Sequence, residues 1–159
     1  MLGACSLPPK SVLLLCLFCL HYLNRSIIYP TRIVGGKQTP IVVCGMALGF
    51  CLWNGWLQGA NLSQAANPVN TEQIGPRVIA GTVIFLAGMA INWHADHILL
   101  NLRKPGETGY KIPYGGAYSF VSAANYGGEI IEWAGFALAA WSLPAYAFAF
   151  FTFCNIAPR

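Results

Sequence analysis

Charged residues are scarce in this sequence. They make up 9% of its 159 residues, whereas soluble globular domains carry roughly 25%. So little charge does not cover a water-exposed surface, and a hydrophobic content of 56% indicates an integral membrane protein. Aromatic residues at 13% exclude a disordered chain, and a net charge of +4 from so few charged residues excludes a nucleic-acid-binding surface.

The sequence also lacks the short motifs of several enzyme classes. It contains no G-x-G-x-x-G, no Walker loop and no G-x-S-x-G, which excludes a Rossmann site, a P-loop and an esterase nucleophile elbow. With three His in total, the run His94-Ala95-Asp96-His97 has too few companions for a histidine-box centre, so we expect no metal. Cys16 and Cys19 lie in an apolar run without a second Cys pair, which indicates small apolar side chains rather than a zinc site.

Long apolar runs are what the sequence does contain, and each membrane-spanning helix needs about 20 such residues. They predict an all-α, polytopic membrane helix bundle with four spans, at residues 11–34, 40–58, 76–100 and 117–141. A fifth apolar stretch, 145–156, follows a break at Ser142-Leu143-Pro144 and is too short to cross. We expect one membrane domain over 11–159, after a divergent segment at 1–10. A signal peptide at the start is disfavoured, because Asn24 and Arg25 stand where small cleavage-site residues belong.

Two features of the spans concern packing and orientation. The second span contains Gly45/Gly49 and Gly55/Gly59, whose spacing indicates either close helix packing or chance in a glycine-rich chain. Loop 60–75 contains no Lys or Arg. It also contains a glycosylation sequon, Asn61-Leu62-Ser63, close to the membrane. The positive-inside rule therefore places loop 60–75 on the luminal side and the two basic loops in the cytosol. Those loops contain Arg32 and Lys37, and Arg103, Lys104 and Lys111.

Polar residues form a stripe on one face of each of three spans. A charge at membrane depth costs about 2.5–3.5 kcal/mol on insertion scales, so these stripes are expected to face protein or water. We expect them to converge on one cavity that suits a nucleotide, because Arg binds phosphate and amide or acid side chains accept from ribose or amide groups. The alternative is hydrogen bonding between helices without a ligand. The stripes are Tyr22, Arg25, Tyr29 and Arg32; Asn92, Asp96, Leu99 and Arg103; and Asn125, Glu129, Glu132 and Trp133.

Several longer motifs resemble one enzyme family. They are NWHADHIL at 92–99, LRKPG at 102–106, GYKIP at 109–113, ANYGGEIIEW at 124–133, AFAFF at 147–151, and HY at 21–22 with Arg25 and IYP at 28–30. In this order they resemble the steroid 5α-reductase family (3-oxo-5α-steroid 4-dehydrogenases), and they look most similar to its type 1 branch. The resemblance covers about residues 11–154.

The resemblance implies a seven-helix enzyme of the endoplasmic reticulum membrane. It implies NADPH as hydride donor and reduction of the 4,5 double bond of 3-oxo-Δ4-steroids such as testosterone or progesterone. Tyr22 would be catalytic, donating a hydrogen bond to the steroid 3-carbonyl, and Trp133 would line the steroid cavity. The cofactor-binding residues would be Asn92, Asp96, Arg103, Tyr110, Asn125 and Glu129, with Arg25, Tyr29 and Lys111 as weaker members.

The sequence departs from that family at both ends. In the family, two further helices precede the His21-Tyr22 motif and supply a Glu that partners the tyrosine, whereas 1–10 contains no acid. The family also continues into a tail that closes over NADPH. We therefore expect a chain truncated at both ends, with activity below that of an intact reductase. The alternatives are a related enoyl or polyprenol reductase and a non-catalytic membrane fragment or isoform.

Overall fold

A computed structural model describes residues 7–33, 38–64, 73–102, 107, 109 and 111–157. All regular elements among these residues are helical, which confirms the predicted all-α membrane bundle. The elements are α1 (Pro9–Leu23), a π-helical turn (Asn24–Ile28), α2 (Tyr29–Thr31), α3 (Ile41–Ser63), α4 (Pro76–Leu100), a 3-10 turn (Gly116–Ser119), α5 (Ala124–Ala140) and α6 (Leu143–Ile156). Part of the predicted N-terminal segment, residues 1–6, lies outside the described residues.

Three helical stretches are long and apolar enough to cross a membrane: Pro9–Thr31, Ile41–Ser63 and Pro76–Leu100. They agree with the first three predicted spans to within a few residues. The predicted limits of the fourth were wrong, because α5 begins only at Ala124. Gly115 and Gly116 have positive φ values of 94° and 53°, and the 3-10 turn Gly116–Ser119 lies against α4, so the chain is not yet helical there.

The first span does not run as a uniform α-helix. Its polar notch, Asn24–Ile28, forms a π-helical turn between α1 and α2. Such a turn is wider than an α-helical turn and is frequent at functional sites. Arg25 lies within this turn, so its side chain leaves the span where the backbone is widened.

The second span, α3, is polar inside and apolar outside. Its buried residues are Asn54, Gln58 and Leu62, whereas Ile41 is 86% exposed and Met46 is 72% exposed. This inverted distribution is typical of a helix whose outer face contacts lipid. None of its four spaced glycines has a neighbour within 4 Å of an added Cβ, so this face makes no close packing contact within the described part of the chain.

The close helix packing in this fold is between α4 and α5. Gly81 and Gly88 of α4 oppose Gly135 and Gly128 of α5, and a Cβ at any of them would lie within 3.0 Å of backbone atoms of the other helix. Glycine at these positions lets the two antiparallel backbones touch. The close contact sets the register that brings Asn92 and Asp96 beside the first turns of α5.

Aromatic side chains fill the centre of the bundle. Trp133 is 1% exposed, and its ring packs on Phe148 at 4.5 Å, Phe18 at 5.8 Å and Phe85 at 6.0 Å between centroids. These four rings come from α5, α6, α1 and α4, so one indole joins four helices.

The predicted break before the fifth apolar stretch is confirmed. Trp141 adopts a left-handed conformation (φ 53°) after α5, and its N–H donates to Ala137 O. The guanidinium of Arg77 lies 4.8 Å from the Trp141 ring centroid, and α6 restarts at Leu143 with Pro144 in its first turn. At 14 residues, α6 is short for a membrane crossing, as predicted.

Candidate functional site

The first span, α4 and α5 each contribute one charged residue to a shared cluster. Arg25 Nη1 lies 3.4 Å from Asp96 Oδ2, and Arg25 Nη2 lies 3.8 Å from Glu129 Oε2. The side chain of Arg25 is 29% exposed, against 5% for Asp96 and 16% for Glu129. The structure thus brings together one member of each polar stripe, with the cation open to a ligand and the carboxylates beneath it. We call these three residues the charged cluster.

Amide groups brace the two helices beside the charged cluster. Asn92 Nδ2 donates to Asn125 O at 2.8 Å, so α4 binds a backbone carbonyl of the first turn of α5. Tyr118, which sequence reasoning did not select, donates its hydroxyl to Asn125 Oδ1 at 3.4 Å. Burial raises the pKa of Tyr118 to about 12, so this phenol keeps its proton at neutral pH and remains a donor.

Tyr22 lies one turn before Arg25 on the same span, with its ring against Phe18 at 4.7 Å. Its hydroxyl accepts a hydrogen bond of 3.3 Å from Asn54 Nδ2 of α3. Sequence reasoning missed Asn54, because it considered only the glycine spacing of that span. The signal available was the pair Asn54 and Gln58, four residues apart on one face of an otherwise apolar helix.

A second buried polar contact links the first span to α5. His21 Nδ1 lies 2.8 Å from Glu132 Oε1, and the two side chains are 6% and 0% exposed. The His21 ring also packs on Trp133 at 4.6 Å. Glu132 was placed on the α5 stripe by its spacing, but its partner is His21 rather than the Arg25 guanidinium. The pair holds the first span on α5 directly beside Tyr22.

The remaining predicted site residues divide into three groups. Tyr29 lies under Arg25, with the guanidinium carbon 5.3 Å from the ring centroid. Lys111 forms an ion pair with Glu107 in the exposed loop before α5. Trp133 sits in the aromatic core described above, so its predicted contact with a steroid stays a prediction. Arg103 and Tyr110 lie outside the described residues.

A cavity of about 230 Å³ opens beside the charged cluster, between the end of the first span and α4. Its polar lining includes Tyr29, Arg32, Asp96 and His97, and Trp93 forms part of its apolar wall. Binding pockets for drug-sized ligands measure roughly 300–1,000 Å³, so this space suits one part of a larger ligand. Within the described ranges, no group of three or more His, Cys, Asp or Glu residues could hold a metal ion.

Known proteins resemble this chain over most of its length. A family model described as 3-oxo-5-alpha-steroid 4-dehydrogenase matches residues 37–159. The 3-oxo-5-alpha-steroid 4-dehydrogenase 1 of Macaca fascicularis is 53% identical over 147 residues, which are 92% of this chain and 56% of the relative. The human type 1 protein is 52% identical over 147 residues, covering 92% of this chain and 57% of the relative.

A type 2 relative gives a lower identity. The 3-oxo-5-alpha-steroid 4-dehydrogenase 2 of Sus scrofa is 47% identical over 151 residues, which are 95% of this chain and 59% of the relative. The greater similarity to type 1 agrees with the sequence prediction. The chain spans little more than half the length of the curated relatives that it matches. The family model covers residues of α3, α4, α5 and α6, and with these identities it shows that the chain belongs to the 3-oxo-5-alpha-steroid 4-dehydrogenase (steroid 5α-reductase) family.

Proposed function

We propose that this chain reduces the 4,5 double bond of 3-oxo-Δ4-steroids with NADPH, as a multi-pass protein of the endoplasmic reticulum membrane. The observation that carries the proposal is the charged cluster, in which Arg25, Asp96 and Glu129 meet between three helices of an apolar bundle. Charged groups are costly at this depth, and function is the usual reason for retaining them. Family membership supplies the reaction class, since the named relatives are 3-oxo-5-alpha-steroid 4-dehydrogenases.

The charged cluster has the donors and acceptors that a dinucleotide needs. Asp96 Oδ1 is buried and makes no hydrogen bond of good geometry in the described part of the chain, although the Asn125 side chain lies near this carboxyl group, and the oxygen would suit a ribose hydroxyl or an amide. Arg25 presents a partly exposed guanidinium, which suits a phosphate. Asn92, Asn125, Glu129 and Tyr29 would complete the binding surface, with Arg103, Tyr110 and Lys111 from the following loop. NADPH, when bound, would supply the hydride that adds to C5 of the enone, becoming NADP⁺, and a proton from water added at C4 would complete the reduction.

In this proposal, Tyr22 assists the reaction at the other end of the steroid enone. As C5 is reduced, negative charge develops on the 3-oxygen, and a preorganised O–H donor stabilises that charge. The rings of Phe18 and Trp133 pack beside the half-buried Tyr22, and apolar surroundings strengthen such a hydrogen bond. The rings beside Tyr22 would also form a suitable wall for a flat apolar substrate.

The position of the charged cluster is consistent with cofactor entry from the cytosol. Arg25 and Asp96 lie near the ends of Pro9–Thr31 and Pro76–Leu100 that lead into the two basic loops. The positive-inside rule assigns those loops to the cytosol. The opposite ends of these helices would then lie on the luminal side.

The test is steroid turnover by the chain in membranes that lack an endogenous reductase. Labelled testosterone and progesterone are supplied with NADPH, and a 2-enoyl thioester and a polyprenol serve as competing substrate classes. We expect 5α-reduced steroid from the unmodified chain, and a loss of up to about 10²-fold for Glu129→Gln or Asp96→Asn, the cost of a hydrogen bond to a charged group. Glu72→Gln is the matched acid-to-amide control, because Glu72 belongs to the loop assigned to the lumen.

Each outcome separates the alternatives. Reduction of only the enoyl or polyprenol substrate would replace the steroid assignment with that class. NADPH binding without any turnover would indicate a non-catalytic membrane protein. Equal steroid turnover by Glu129→Gln, Asp96→Asn and Glu72→Gln would contradict the role given to the charged cluster.

A further inference from the structure

A buried chain of hydrogen bonds leads across α3 to the hydroxyl of Tyr22. Gln58 Nε2 donates to Pro144 O at 3.0 Å and to Asn54 Oδ1 at 3.3 Å, and Asn54 Nδ2 donates to the Tyr22 hydroxyl oxygen at 3.3 Å. Asn54 is 4% exposed and Gln58 is 1% exposed, so both amides are shielded from solvent. The chain joins α6, α3 and α1, and its last member is the residue assigned to the substrate carbonyl.

The direction of every bond in this chain follows from its first member. Pro144 O is a backbone carbonyl and only accepts, so the side chain of Gln58 must turn its NH₂ group toward it. The second N–H of Gln58 then reaches Asn54, which must present its oxygen to Gln58 and its own NH₂ group to Tyr22. The phenol oxygen therefore accepts from Asn54, and the phenol proton is left free for another acceptor.

This orientation of the Gln58 amide has one cost. Gln58 Oε1 is buried and has no hydrogen-bond partner within the described residues. A buried carbonyl without a partner is unfavourable. Turning the amide over would place Gln58 Oε1 against Pro144 O, two acceptors together, so the observed orientation is the better of the two.

We propose that Asn54 and Gln58 are positioning residues that hold the Tyr22 hydroxyl as a hydrogen-bond donor directed at the substrate carbonyl. The inference rests on the proposed function, because it takes the acceptor to be the 3-oxygen of the steroid. A phenol that accepts a hydrogen bond donates a stronger one, since bonds in a chain polarise each other. Asn54 thus both fixes the proton of Tyr22 and strengthens its bond to the oxygen on which charge develops.

The hydrogen bond itself is tested first, without substrate or cofactor. The phenol C–O stretching band of ring-labelled tyrosine is recorded for the chain in lipid nanodiscs, and the Tyr22→Phe difference assigns the band of Tyr22. This band distinguishes a phenol that accepts from one that donates. We expect the accepting signature, lost in Asn54→Leu, weakened in Gln58→Met, and unchanged in the control Asn155→Leu. Asn155 is an exposed amide on α6 whose hydrogen bond among the described residues is to its own helix, at Phe151 O. A donating signature, or no change in Asn54→Leu, would overturn the proposal.

Kinetics then separate positioning from a general effect on folding. We expect Asn54→Leu to lower kcat for steroid about tenfold to a hundredfold, less than the roughly 10²–10³-fold cost of losing an oxyanion donor outright, with KM for NADPH unchanged. Gln58→Met should have a smaller effect in the same direction. In a Tyr22→Phe background, Asn54→Leu should cause no further loss, because the group that it positions is gone. Full additivity of the two substitutions would contradict the proposal.

A binding measurement distinguishes this inference from the proposed function. The carbonyl stretch of testosterone labelled at C3 reports hydrogen bonding to its oxygen whether or not turnover occurs. Binding without turnover would contradict the proposed reductase activity, yet a hydrogen-bonded carbonyl band that weakens in Asn54→Leu would still support the positioning role. A band unaffected by Asn54→Leu, or failure of the steroid to bind at all, would overturn the inference.

Discussion

Several buried polar side chains of this chain have partners on other helices. His21 and Glu132 form the most enclosed of these contacts described above, at 2.8 Å with almost no exposure. Glu132 Oε2 has no hydrogen-bond partner in the described part of the chain. The contact between Oε1 and His21 is therefore the hydrogen bond described for that carboxyl group. A buried acid that depends on one neighbour is sensitive to the loss of that neighbour.

His21→Leu is therefore expected to destabilise the chain by about 3–5 kcal/mol, since it leaves a buried acid without a partner. The double variant His21→Leu/Glu132→Leu should recover much of that loss, because no polar group is then stranded. Thermal unfolding in detergent micelles, followed by tryptophan fluorescence, measures both. His97→Leu is the control, since His97 is exposed and bonds within its own helix. Equal unfolding temperatures for the single and double variants would contradict the account.

Helical periodicity in the sequence predicts some of these side-chain contacts and not others. Helical spacing placed Arg25, Asp96 and Glu129 each on the polar face of its own helix, and those three faces meet in the structure. Spacing within one helix carries no information on which residue of another helix lies opposite. The contacts of His21 with Glu132 and of Asn54 with Tyr22 therefore became visible only when the helices were packed.

At the scale of the helices, glycine determines which pair packs closely. Gly81, Gly88, Gly128 and Gly135 form a glycine seam with a seven-residue spacing on each helix, and each lies where an added Cβ would strike the opposite backbone. The glycines of α3 have no such neighbour. Identical residues thus have different energetic roles, depending on the surface they face.

Gly88→Ala is expected to destabilise the α4–α5 pair by about 1–3 kcal/mol, because the methyl group would overlap the backbone at Glu132 and force the helices apart. Gly49→Ala is the matched control on α3, where nothing lies within 4 Å of the new Cβ. It should leave stability unchanged or raise it, since Ala favours helix over Gly. Thermal unfolding in micelles measures both variants. A larger loss for Gly49→Ala than for Gly88→Ala would refute the glycine seam.

Element boundaries were predictable to the extent that hydropathy alone sets them. Span 76–100 begins with a proline after a glycine and ends at a polar run, so its limits were clear from the sequence. The start of α5 was not, because residues 117–123 are only moderately polar, and hydropathy does not distinguish the 3-10 turn Gly116–Ser119 from the α-helix that follows. The Gly45/Gly49 spacing left close packing or chance open, and among the described residues no neighbour lies against these glycines, whereas the seven-residue spacing in α4 and α5 marks the close contact.

At the scale of the whole molecule, large apolar side chains are exposed on the outer surface as well as packed in the core. Trp53 and Trp56 of α3 are each 62% exposed, while the charged cluster is enclosed between helices. This arrangement suits a bilayer and is unfavourable in water. Orientation in the bilayer does not follow from packing, so it depends on the positive-inside argument.

That orientation can be measured by protease protection. A cleavage site inserted at residues 103–106 should be cut in sealed microsomes, because the basic loop is assigned to the cytosol. The same site inserted at residues 66–69 should be cut only after detergent is added. A luminal marker protein controls for leaky vesicles. Cleavage at residues 66–69 without detergent, with the marker intact, would reverse the assigned topology.

Direct binding of NADPH to the chain in lipid nanodiscs tests the central claim that the charged cluster holds a reduced dinucleotide. NADPH emission excited by energy transfer from tryptophan gives the affinity without any need for turnover. Arg25→Gln and Glu129→Gln should weaken binding at least about tenfold, since each removes a charged hydrogen-bonding group from the cluster, while Glu72→Gln should bind like the unmodified chain. Equal affinities for all four proteins, or no saturable binding by the unmodified chain, would contradict the account.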